Sequence, residues 1–156
     1  MLHPKTNRQE IRAQIIAVGL KATQQRIVIL EAVITLHDRH PAAEEVFQQV
    51  SVANPGISLG TVYKTLDIFV EAGLLKPVLS ANNRRYDLMG PAHSHIYCTN
   101  THEVFDFTDP ILEKLVQEFF RTKNIQNFNI RDISVQIVGS KTDPAQKINI
   151  TWLPIF

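Results

Sequence analysis

Sulfur is scarce in this chain of 156 residues, which has one cysteine, Cys98, and two methionines. A single cysteine excludes an internal disulfide framework and every zinc site built from paired thiolates. Long apolar runs are missing as well. No stretch is long enough to cross a bilayer as a helix, and the opening MLHPKTNRQE lacks the apolar core of a secretion signal. Neither sign of charge is in excess. Sixteen Lys and Arg oppose 15 Asp and Glu, for a net charge of +1, so no global field points to nucleic acid or an anionic membrane. Residues 1–88 carry +2 and the remainder −1, a mild tilt. There is no internal repeat and no low-complexity tract. The expectation is a cytoplasmic protein of one domain or two small ones, with no membrane partner.

What is present divides into two halves. The first reads helical. NRQEIRAQIIAVG places Ile11, Ile15 and Val18 at helical spacing and stops at Gly19. Thr23 can cap a second helix running to about His37. HPAAEEVFQQV puts Pro41 at a first-turn position with Glu44 and Glu45 behind it. SLGTVYKTLDIFVEAG starts at Ser58 and ends at Gly73. Its apolar stripe is Val62, Leu66, Phe69 and Val70, and Lys64, Asp67, Ile68 and Glu71 lie largely opposite. LLKPVLSANNRRYDL then reads as two short strands about an Ala-Asn-Asn turn. Three helices and a hairpin make a winged helix-turn-helix over residues 1–88.

Residues 89–94, around MGPAH, read as a hinge. Residues 95–156 read as a small α/β dimerisation domain, giving an α+β chain. Strands are expected at 95–99 and 103–108. An amphipathic helix follows over DPILEKLVQEFFRTK, using Ile111, Leu115, Phe119 and their neighbours. FNIRDISVQIVG and KINITWLPIF alternate like further strands. Such a unit is small for a core of its own, and a homodimer would bury more.

The chemistry concentrates in PAHSHIYCTNTHEVFDF. Positions two apart on a strand share a face, so His93 and His95 can hold one ion while Cys98 points away. Cys98 reads as a small buried hydrophobe and His102 as a solvent-exposed loop residue. Asp106 follows on the next strand, Asp87 ends the hairpin and His40 opens a helix. Together they offer three imidazoles and two carboxylates. A nitrogen-and-oxygen set without thiolate suits Fe²⁺ or Mn²⁺, with Zn²⁺ able to compete. On the last helix of the helix-turn-helix, Thr61, Tyr63, Lys64 and Thr65 are candidates for groove contacts, with Arg84 and Arg85 in the wing for phosphates.

These residues form a familiar set. LKATQQRIVILEAV, HPAAEEVFQQV, PGISLGTVYKTLDIFVEAGLLKPV, RRYDL, HSHIYC and EVFDF together resemble the ferric uptake regulator (Fur) family, in order from about residue 8 to 139. The resemblance implies a homodimeric, metal-dependent repressor of double-stranded DNA with a palindromic operator, and not an enzyme. It implies His40, Asp87, His93, His95 and Asp106 as regulatory ligands, with one such site per subunit. Aspartates at the two acid positions resemble the peroxide-responsive (PerR) branch, where Fe²⁺ and hydrogen peroxide oxidise a ligand histidine. The targets here would be His40 and His93. Lys21 matches a minor-groove lysine of the family, and Tyr63 and Lys64 match positions that touch bases.

Two departures stand out. The family's paired Cys-x-x-Cys motifs are reduced to Cys98-Thr99-Asn100-Thr101, with GSKTDP near the second place, so no structural Cys₄ zinc is expected. Ser94 also replaces an acid common between the paired histidines. Three other readings compete. One is an iron- or zinc-uptake regulator without peroxide sensing. Another is a non-haem iron oxygenase built on two histidines and a carboxylate. The third is a constitutive DNA binder with a vestigial site.

Overall fold

A computed structural model describes residues 6–78, 80, 83–90, 93–130 and 133–151. Most of the hairpin tip, the middle of the expected hinge and the last five residues of the KINITWLPIF strand lie outside them. The chain divides into two compact units, Met1–Pro91 and Ala92–Phe156.

The first unit opens with α1, Arg8–Ala17. Asn7 accepts from the Glu10 amide at 3.0 Å while the Glu10 carboxylate accepts from the Asn7 amide, a reciprocal cap. α2, Gln24–Thr35, starts at Thr23, whose hydroxyl accepts from the Arg26 amide. It stops short of the expected His37. Leu36 leaves the helical conformation, His37 Nδ1 bonds the Ile34 carbonyl at 2.9 Å, and a 3₁₀ turn follows at His37–Arg39. α3 is Ala43–Ser51. Pro41 lies before this helix and not in its first turn, because residues 41–42 are drawn into extended pairing. The Pro41 carbonyl accepts from the Tyr86 amide at 3.0 Å, and Ala42 bridges Arg85.

α4, Leu59–Glu71, is capped by Ser58 through the Thr61 amide. It is followed by Gly73 at φ 78°, a left-handed position that glycine reaches without strain. β1 (Leu75–Val78) and β2 (Arg85–Leu88) pair antiparallel, with Leu75 opposite Leu88 and Lys76 opposite Asp87. The helices and this wing enclose one core, including Ile11, Ile15, Leu30, Val33, Val46, Val62, Leu66, Phe69, Leu75 and Tyr86. Phe69 is fully buried, a burial that contributes roughly 1.5–3 kcal/mol.

The second unit is built on β3, Ser94–Cys98. It pairs antiparallel with β4 (Val104–Phe107) and parallel with β5 (Gln136–Gly139), so β3 is central. Between β4 and β5 lies α5, Pro110–Arg121, capped by Asp109 on the Leu112 amide at 2.7 Å. Leu112, Val116 and Phe120 are half-buried. The stripe Ile111, Leu115 and Phe119 is exposed, each by more than half. Residues 147–151 form no strand. Alternation supplies a wet and a dry face, but a strand also needs a ladder partner, and among the described residues none pairs with 147–151.

The turn after β3 is fastened to the segment after β5 by Asn100. Its Nδ2 donates to the Lys141 carbonyl at 3.0 Å, and its Oδ1 accepts from the Lys141 amide at 3.1 Å and the Cys98 thiol at 2.9 Å. The Thr99 amide reaches the Gly139 carbonyl, and Lys141 Nζ pairs with Glu103 at 2.6 Å. Hydrogen bonds thus join the two segments where the resemblance would place paired cysteines. Asn100→Ala removes the side-chain bonds to Lys141 and should lower the stability of this unit by about 1–2 kcal/mol. Denaturant unfolding followed by circular dichroism measures the loss.

Candidate metal centre

The two units each carry part of the predicted ligand set. In the first, the 3₁₀ turn ends at His40, a buried residue in the left-handed conformation (φ 48°, ψ 71°). This turn directs the imidazole toward Asp87 on β2, with Nε2 3.9 Å from Oδ2. Asp87 is buried, and its Oδ1 accepts from the Leu88 amide at 2.8 Å. Lys76, its cross-strand neighbour, places Nζ 3.8 Å from the same Oδ2. An ammonium therefore shares the carboxylate that a metal ion would use.

In the second unit, His93 precedes β3, and His95 on β3 stands directly opposite Asp106 on β4. Asp106 Oδ1 lies 3.1 Å from His93 Nε2 and 3.5 Å from His95 Nε2. The two rings are 4.7 Å apart and tilted by 57°. The strand pleat and the register produce this convergence: His95 shares a face with its opposite number, and His93, two residues back, leans to the same side.

Cys98, three residues beyond His95, is buried and bonded to Asn100. His102 sits at an exposed turn (φ 57°) and meets the Tyr97 hydroxyl at 3.1 Å. Neither joins the cluster.

The donors fit a divalent cation of intermediate hardness. They are imidazole nitrogens and carboxylate oxygens, with no thiolate among them. An imidazole nitrogen 3.1 Å from a carboxylate oxygen places two metal-ligating atoms side by side. Both imidazoles converge on one Asp106 oxygen, which is where a shared cation would be held.

The nucleic-acid candidates all lie in the first unit. Lys21 and Lys64 are exposed, and Thr61 is half-buried with its hydroxyl 3.0 Å from Ser58 Oγ. Tyr63 on α4 is 39% exposed and donates its hydroxyl to Glu44 on α3, a bond that raises the phenol pKa above its ordinary value. Arg84 pairs with Asp67 of α4 at 2.7 Å and lies over the Tyr86 ring. Thr65 is buried, because it falls on the core side of α4, and has no access to a groove. Arg85 is not an outward wing residue either, since its side chain is 16% exposed and bonded to the Arg39 and His40 carbonyls and to Glu45. The sequence reading missed Lys76 and Glu45. Lys76 was detectable only through the hairpin register, and Glu45 was visible only as a helix-start acid.

A family model described as the ferric uptake regulator family matches residues 17–138. The chain belongs to this family. Among similar proteins, a peroxide-responsive repressor PerR of Staphylococcus saprophyticus is 30% identical over 130 residues, covering 83% of this chain and 85% of that protein. A ferric uptake regulation protein of Bordetella parapertussis is 38% identical over 105 residues, 62% of this chain and 71% of its own. Among solved structures, the Pseudomonas aeruginosa ferric uptake regulator with manganese superposes with a TM-score of 0.72 at 29% identity, over 85% of this chain and 98% of that one. The expected architecture, an N-terminal helix-turn-helix unit before an α/β unit, is the family's. As a Fur-family member the chain is a metal-responsive transcription regulator. Among the described residues no helix is long and apolar enough to cross a membrane.

Asp106→Ala removes the oxygen shared by His93 and His95. Isothermal titration of the full chain with Mn²⁺ should show affinity at least about tenfold weaker.

Proposed function

We propose that this protein is a homodimeric DNA-binding repressor that senses hydrogen peroxide through one Fe²⁺ site per subunit. The observation that carries the reading is the ligand chemistry: aspartate at both acid positions, Asp87 and Asp106, and histidine at all three others. In this reading His40 and Asp87 of one unit and His93, His95 and Asp106 of the other hold a single ion. Residues 89–94 act as the hinge that the ion restrains. Mn²⁺ or Zn²⁺ can occupy the same donors.

Fe²⁺ held by these residues would supply redox chemistry toward hydrogen peroxide, which is the net two-electron oxidant. His40 and His93 would offer the ring carbon beside their ligating nitrogens, where one peroxide oxygen is gained to give 2-oxo-histidine and the other leaves as water. That product is a poorer ligand, so the link between the units fails and the repressor leaves its operator. Mn²⁺ is harder to oxidise and preserves DNA binding. Scarcity of thiol leaves the ligand imidazoles as nearby targets. Relatives named for peroxide response support the reading. The Bordetella relative favours a second one, a metal-uptake regulator that responds to ion level alone.

Anaerobic DNA binding with Mn²⁺, with Fe²⁺ and with Fe²⁺ plus stoichiometric peroxide separates the two. The expected outcome is release in the third condition only, with one oxygen gained on the peptide containing His40 or His93. Protein that stays on DNA unmodified supports the uptake reading instead.

In the proposed complex Lys21, Thr61, Tyr63 and Lys64 approach the grooves and Arg84 a phosphate, so affinity falls steeply with salt. A dimer presents two such helices to a palindrome. The exposed stripe Ile111, Leu115 and Phe119 and the exposed Ile137 and Val138 of β5 supply an apolar surface for a second copy. Leu115→Glu should convert the protein to a monomer in sedimentation and weaken operator binding.

A further inference from the structure

We propose that Arg85 and Glu45 form a positioning clamp that holds His40 in its ligand conformation, so that metal affinity depends on two residues that are not ligands. The inference rests on the assignment of His40 as a ligand made above.

His40 stands at φ 48°, where a side chain bearing Cβ is rarely found. Such a conformation is unfavourable and persists only where the surroundings over-determine it. Here the surroundings are specific. Arg85 Nη1 donates to the His40 carbonyl at 2.9 Å and lies 3.2 Å from the Arg39 carbonyl and 3.1 Å from Glu45 Oε2. The same Glu45 oxygen accepts from the Ala42 amide at 2.8 Å, on the other side of the turn. One guanidinium and one carboxylate thus bracket residues 39–42 and tie them to β2. Asp87 lies two residues after Arg85 on that strand, so the clamp sets the spacing between the two ligands of this unit.

The clamp also touches the DNA-binding side. Glu45 is in the first turn of α3, and its neighbour Glu44 accepts from the Tyr63 hydroxyl on α4. A turn that relaxes at His40 therefore acts on the helix start that also orients Tyr63. All three contacts run through Nη1, whose two N–H groups are shared among the two carbonyls and the carboxylate; a lysine ammonium, a compact charge on a more flexible stem, would hold the same acceptors less firmly.

The test is Mn²⁺ affinity of the full chain, by isothermal titration, for His40→Ala, Arg85→Ala, Arg85→Lys and the double variant His40→Ala/Arg85→Ala. Circular dichroism confirms folding at the assay temperature. Arg85→Ala should bind Mn²⁺ about 10- to 100-fold more weakly, and Arg85→Lys should recover only part of that loss. Because Arg85 acts through His40, the double variant should bind no more weakly than His40→Ala alone. If Arg85→Ala does not fold, Glu45→Gln replaces it, with a smaller loss that again disappears without His40. Wild-type affinity in Arg85→Ala, or losses that multiply in the double variant, would overturn the clamp and leave the site assignment standing. Unchanged affinity in His40→Ala would overturn the site assignment itself, and the clamp with it.

Discussion

The backbone at His40 is the tightest local constraint in the first unit. A histidine held in the left-handed region between a 3₁₀ turn and α3 is unfavourable by itself. It is maintained by the Arg85 guanidinium, the Glu45 carboxylate and the pairing of residues 41–42 with β2. Several consequences follow from that one turn. α2 ends early, α3 begins late, the wing is anchored to the helical core, and a buried imidazole meets a buried carboxylate. The same arrangement explains why two wing arginines adjacent in sequence differ in role. Arg84 faces outward and pairs with α4, while Arg85 faces inward and is occupied by backbone carbonyls.

The second unit depends on a different device, the register of a central strand. Pairing His95 with Asp106 brings two imidazoles to one carboxylate oxygen with no unusual backbone at the ligands. Beyond the other end of β3, Asn100 joins two loops through its amide. An asparagine amide is at once donor and acceptor, so a single side chain satisfies both the amide and the carbonyl of Lys141. Among its described residues the unit has few that are buried, and α5 has none. Its apolar area is therefore displayed more than it is internally covered, in contrast to the densely filled first unit.

Much of this was legible in the linear chain. Caps at Thr23 and Ser58, the stop at Gly73 and the stripe of Val62, Leu66 and Phe69 are local signals, and the helices formed where those signals placed them. The His-x-His pair was legible because strand periodicity alone puts both rings on one face. The alternating tail at 147–151 misled, since periodicity does not supply a hydrogen-bonding neighbour. α5 was found, but which of its two apolar stripes faces the sheet was not, because both have helical spacing.

The amino-acid sequence by itself determined the donor chemistry: imidazole and carboxylate, almost no thiol, and family membership through motifs that run nearly the length of the chain. The starts of α2 and α4 and the stop at Gly73 were likewise local, set within a few residues by capping and glycine conformation. Only the tertiary structure decided that Arg85 serves the His40 turn, that Lys76 lies against Asp87, that Thr65 is buried and that Asn100 fastens two distant loops. The physical reason is sequence separation. Arg85 and His40 are 45 residues apart, and Asn100 and Lys141 are 41 apart. Contacts at that distance are set by strand register and core packing, which no local pattern of residues encodes.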